Sequence, residues 1–244
     1  MQTETVLLLL GALAGALVNG LTGFGTGLTA LVFWLHAVPP VVAGPLVCAC
    51  SVVAQVQALP SIWHALDWRR LAPFVVAGSI GVPIGTWLLP RLPVATIKLG
   101  LGVLLVVYCS VMLLGRVRVA SVRESRGLDA LVGLAGGILG GIAGLSGVLP
   151  TIWASLRGWP KDARRAVFQG FNLSILSLAL ASYAMAGLLD AAFLRAFLVA
   201  LPATVVGSLA GQWLYRRLSD DGFTRVVLMV LLAAGVGLVW GNVG

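Results

Sequence analysis

No carboxylate stands in the middle of any long apolar run of this chain. Asp67, Glu124, Asp129, Asp162, Asp220 and Asp221 fall between runs, and Glu4 and Asp190 near the ends of others. That absence removes the usual proton-relay acid of membrane pumps and the paired acids of intramembrane catalysis. Cysteine is also sparse. Cys48, Cys50 and Cys109 lie inside apolar stretches, at spacings that build neither a disulfide framework nor a metal site, and read as small core residues. No cofactor and no metal are expected. Lysine is nearly missing: the formal charge of +8 is mostly arginine in short loops, a pattern that sets membrane topology and argues against nucleic acid as a partner. His36 and His64 sit at run ends beside Trp34 and Trp63 and read as interfacial anchors rather than proton carriers. Residues 1–10 carry Glu4 and no Lys or Arg, unlike the basic start of a secretory signal, so the N-terminus is expected in the mature protein.

What is plentiful is apolar surface. With 59% hydrophobic residues and a mean hydropathy of +1.04, the chain reads as an all-α polytopic membrane protein that needs lipid to cover it. Runs of about 20 residues, the spanning length, extend from Val41 to Ile62, Leu71 to Leu89, Val94 to Leu114, Ala163 to Leu188, Ala192 to Leu214 and Phe223 to Trp240. Two more, Thr5 to Trp34 and Leu128 to Leu156, are interrupted by small residues: Asn19-Gly-Leu-Thr-Gly-Phe-Gly-Thr-Gly27 and Gly140-Gly-Ile-Ala-Gly-Leu-Ser-Gly147.

The chain also repeats itself. Gly81-Val-Pro-Ile-Gly85-Thr-Trp87 returns as Gly207-Ser-Leu-Ala-Gly211-Gln-Trp213, and Pro39 to Leu59 aligns without gaps on Pro160 to Leu180. The expected organisation is a first repeat over 1–115, a cytoplasmic linker over 116–127 and a second repeat over 128–244. Each repeat would be a Gly-broken re-entrant helical hairpin followed by three transmembrane helices. Charge favours re-entry for the second broken run. If it crossed the bilayer, the 16 Lys and Arg would divide 7 to 9. If it enters and leaves on one face, one side collects 13 of them and the other keeps Arg91, Lys98 and Arg195, as the positive-inside rule requires. No Lys or Arg precedes Arg69, so the first run is read by analogy with the second, as two inverted halves with both termini outside.

Irregular backbone survives at membrane depth only where protein or a water-filled cavity covers it, so the two breaks should meet at the centre. Paired, broken hydrophobic runs point to a transporter's binding site. The pairs Gly11/Gly15, Gly133/Gly137, Gly136/Gly140, Gly81/Gly85 and Gly207/Gly211 have small-xxx-small spacing and read as packing residues. Gly23, Gly25, Gly27, Gly144 and Gly147 are denser than a packed face needs and stand among Asn19, Thr22, Thr26 and Ser146. Second arms beginning near Gly27 and Gly147 would open two helix N-termini toward one anion, with hydroxyls from Thr22, Thr26 and Ser146 beside them; capping is the plainer role for Thr26 and Ser146. The gap-free alignment pairs Cys48 with Gln169 and Ser51 with Asn172, putting Ser51, Gln169 and Asn172 near the midplane as candidate ligands or interhelical bonds. Gln55, Gln57, Ser174 and Ser177 are weaker candidates. The cations of Arg157-Gly-Trp-Pro-Lys-Asp-Ala-Arg-Arg165 either gather anions at the cytoplasmic mouth or serve topology and helix ends, with Arg157 closing one helix and Asp162 capping the next.

Two repeats opening on Gly-rich broken runs, with Gly144-Leu-Ser-Gly-Val-Leu-Pro150, Arg157-Gly-Trp-Pro-Lys-Asp162 and Phe168-Gln-Gly-Phe-Asn172, resemble the sulfite exporter TauE/SafE family, the toluene sulfonate uptake permeases, over nearly the whole chain. The first repeat departs from the family pattern at Thr26 and Thr29. The resemblance implies a permease of the bacterial plasma membrane for sulfur-containing anions such as sulfite or sulfonates. The function expected is therefore a secondary transporter of a small anion, with a proton or sodium ion as possible coupling partner. A carrier or channel for another small anion is the alternative, and a membrane enzyme or assembly factor is the rival class. Anion, direction, coupling ion and oligomeric state are not written in the sequence.

Overall fold

The computed structural model describes residues 2–34, 36–88, 94–113, 125–143 and 146–243. Their regular structure is all helical, with no strand among them. In order they form α1 (Gln2–Thr22), α2 (Thr26–Trp34), α3 (Pro40–Ile62), α4 (Trp68–Leu88), α5 (Val94–Leu113), α6 (Arg126–Ala143), α7 (Val148–Leu156), α8 (Lys161–Met185), α9 (Ala191–Arg217) and α10 (Asp220–Val243). Among the described residues four helices are long and apolar enough to cross a membrane: Gln2–Thr22, Val42–Ser61, Lys161–Met185 and Ala191–Arg217. This is a multi-pass membrane protein.

The packing pattern is the same when the two halves are exchanged. α1 lies along α9 and α6 lies along α4, while α3 meets α8 and α5 meets α10. Each long first arm is thus held by a helix of the other half. Small residues allow it. A Cβ on Gly81 would sit 2.9 Å from the Ile138 nitrogen, and one on Gly207 2.5 Å from the Leu13 carbonyl. Such contact between backbones is the main cohesive force where lipid removes the hydrophobic drive. The outward faces are apolar: Val76 and Ile80 on α4 and Val206 and Leu209 on α9 are each more than half exposed, a surface suited to acyl chains.

The broken runs differ from two equal half-helices. α1 has 21 residues and α2 nine, so the first arm is about 31 Å long and the second about 13 Å at ~1.5 Å per residue. The second pair repeats this imbalance, with 18 and nine residues. In both, the short arm folds back along the long one. The Trp34 indole donates to the Leu8 carbonyl at 3.0 Å, and the Trp153 indole to Asp129 at 2.7 Å. Trp34 is fully buried, whereas Trp63 is 58% exposed.

Candidate functional site

The first break follows from its glycines. Gly23 and Gly25 have φ of +85° and +93°, left-handed values that side-chain-bearing residues adopt only under strain. The turn is secured locally. The Gly23 amide donates to the Asn19 carbonyl at 2.7 Å, and the Thr22 hydroxyl lies 2.9 Å from the Val18 carbonyl and 3.0 Å from that of Phe24. The Asn19 amide reaches across the turn to donate to the Thr26 hydroxyl at 2.7 Å. Of the second break Ser146 and Gly147 are described; Gly144 lies outside the described residues.

The two breaks meet at one cavity. Its lining includes Asn19, Gly25, Thr26, Gly27, Ser146 and Gly147 from the breaks, Ser51 and Gln55 from α3, and Asn172 from α8, closed by apolar Phe24, Leu28, Val47, Val148 and Leu176. At about 30 Å³ it exceeds the roughly 10–15 Å³ that one water needs. Both short helices begin at its wall, and helix geometry leaves their first-turn N–H groups without intrahelical acceptors. No charged side chain lines it. The arrangement sets the first-turn amides and positive dipole ends of two helices around an uncharged cavity, suited to an anion.

Asn172 links the breaks. Its carbonyl accepts from the Ser146 hydroxyl at 2.8 Å, and its amide donates to the Gly23 carbonyl at 3.3 Å. A Cβ on Gly147 would stand 2.6 Å from the Asn172 amide nitrogen, so this approach requires glycine. Beside the bridge, Asn19 Oδ1, both polar atoms of the Gln55 side chain and Gln169 Oε1 are buried without a hydrogen-bond partner. Such groups are costly unless something satisfies them.

Of the residues singled out from the sequence, Asn19, Gly25, Thr26, Gly27, Ser51, Ser146, Gly147 and Asn172 line the cavity. Three others stand behind the wall. Thr22 fastens the turn, Gly23 supplies the carbonyl that Asn172 bonds, and Gln169 donates to the Gln55 carbonyl at 3.3 Å. Gln55, ranked low from the sequence, belongs to the lining; its position one turn from Ser51 was the available signal. Ser174 bonds its own helix at Gly170, and Ser177 is exposed. The apolar lining carries no sequence mark that separates it from ordinary core.

The basic stretch after α7 behaves differently from a solvent-facing funnel. Arg157, Arg164 and Arg165 are 5%, 7% and 0% exposed, so these three do not present their charge to bulk water in this conformation, while Lys161 is half-buried. Arg157 pairs with Asp129 at 2.5 Å and stacks near Trp153 and Trp159. Asp162 caps nothing: Pro160 is the N-cap of α8, and the Asp162 carboxylate accepts from the Tyr215 hydroxyl instead. Arg165 is buried deepest, donating to the Gly20 carbonyl at the end of α1 and stacked 3.8 Å above the Tyr215 ring.

Comparison with known proteins places the sequence in a family. A family model described as Sulfite exporter TauE/SafE matches residues 7–238. A protein of Cupriavidus necator named "Probable sulfite/organosulfonate exporter TauE" is 28% identical over 253 residues, covering 98% of this chain and 96% of that protein. No solved structure matches.

Proposed function

This chain belongs to the sulfite exporter TauE/SafE family, and from that premise we propose that it is a secondary transporter of small sulfur-containing anions, sulfite or organosulfonates, in the bacterial inner membrane. The anion sits where the first turns of α2 and α7 converge, held by their free amides, with Asn19, Thr26, Ser51, Ser146 and Asn172 shaping the place. The observation that carries this reading is the Asn172 bridge, which joins both breaks at a cavity on whose wall α2 and α7 both begin. The same reading makes the helix–break–helix units re-entrant and the two halves inverted, with both termini outside and the arginine-rich linker cytoplasmic. The cavity would lie near the midplane: Ser51 and Asn172 each stand 11 residues into their helices, about 16 Å at ~1.5 Å per residue. Opening alternates between faces as one half rocks against the other.

The test is uptake of labelled sulfite, thiosulfate and short sulfonates into vesicles reconstituted with the whole protein, with proton and sodium gradients imposed separately. Saturable flux of at least one sulfur oxyanion, absent from protein-free vesicles, is expected. Flux of none of them contradicts the proposal.

A further inference from the structure

Arg165 is unlike every other cation in the described chain. Its side chain is fully buried, and no carboxylate of the described residues forms an ion pair with it. One guanidinium nitrogen donates to the Gly20 carbonyl, but Nε and Nη1 are buried with no hydrogen-bond partner. A buried cation with open donors, whose nearest carboxylate, Asp162, is bonded to Tyr215 rather than to it, is unfavourable, and an anion on those donors would relieve it. The place is telling. Arg165, Gln169, Asn172 and Leu176 follow one face of α8, and the last three have already been met at or beside the cavity. The Arg165 stem passes the first break, since a Cβ on Gly23 would lie 3.3 Å from its Cγ. In the other half the aligned position is Gly44, so the cation has no counterpart and marks one end of the path only.

We propose that Arg165 is a second anion station, on the α8 N-terminal side of the Asn172 cavity, where its open guanidinium N–H groups take an oxyanion as it enters or leaves. This rests on the transport reading above. The Tyr215 ring beneath the guanidinium and the Asp162 carboxylate on the Tyr215 hydroxyl hold the station in place and leave its open N–H groups unbonded.

The experiment is arginine modification of the whole wild-type protein by phenylglyoxal, located by peptide mass spectrometry, with and without sulfite. Sulfite is expected to slow modification of Arg165 by about threefold or more, as occupancy of a site excludes the reagent; equal rates would overturn the station. Arg165→Gln and Arg165→Lys provide the second arm. With both folded by melting temperature, the charge-removing variant is expected to raise the sulfite KM about tenfold while the lysine variant stays within about threefold. Equal losses in both, or an unchanged KM in Arg165→Gln, would make the residue a fastener of α1 and no more. Protection without flux in vesicles would fail the transport reading and leave the station standing; flux without protection would do the reverse.

Discussion

Asn172 joins segments 26 and 149 residues away through the two ends of one amide. That bridge leaves no room for a side chain at Gly147, where a methyl group would meet the amide at 2.6 Å. Gly147→Ala should therefore cost about 1–3 kcal/mol of stability from overpacking and depress sulfite uptake, while Gly100→Ala, with nothing within 4 Å of the added carbon, should stabilise its helix by about 0.5–1 kcal/mol. Thermal melts of the two variants beside wild type check this. Asn172 and Ser146 could be picked out from the sequence because polar residues are expensive inside apolar runs, and because the repeat aligned Asn172 with Ser51. Arg165 was legible only as one cation of the Arg157 to Arg165 stretch, open equally to anion gathering and to topology. Whether it lies against water or over the Tyr215 ring is decided by where α8 sets it against Gly20 of α1 and Tyr215 of α9.

At the scale of elements, the short arms are held to the long ones by different devices. α2 is fastened by the buried Trp34 indole on the Leu8 carbonyl, α7 by an ion pair between Arg157 and Asp129 whose side chains are 1% and 10% exposed. Asp129→Asn keeps the shape but strands the arginine, so it should destabilise the protein by about 3–5 kcal/mol, measured as a fall in melting temperature in detergent. The sequence made both breaks visible through glycine density. It hid the inequality of the arms, because apolar composition runs unchanged through α1 and does not say how far a helix continues before its turn. The small-xxx-small pairs, in contrast, were legible as packing sites: Gly81 and Gly207 lie against the backbones of α6 and α1, as close interhelical approach requires.

For the molecule as a whole, exchange of the halves preserves the packing, with α1 on α9 answered by α6 on α4. In the proposed topology the linker between halves is cytoplasmic. A cysteine introduced at Ser121 should then resist membrane-impermeant maleimide in intact cells and react after lysis; ready labelling of intact cells would reverse the orientation. That both breaks reach one place was predictable from the cost of irregular backbone in lipid, whereas which side chains close the cavity depended on helix rotation that hydropathy does not encode. The most direct measurement is sulfite flux through Asn172→Leu in reconstituted vesicles, normalised to folded protein. Loss of the shared amide should lower flux about tenfold or more, the factor that ~1.4 kcal/mol of lost binding corresponds to. Flux within about twofold of wild type, a difference worth well under ~1 kcal/mol, would mean that the anion does not pass where the two breaks meet.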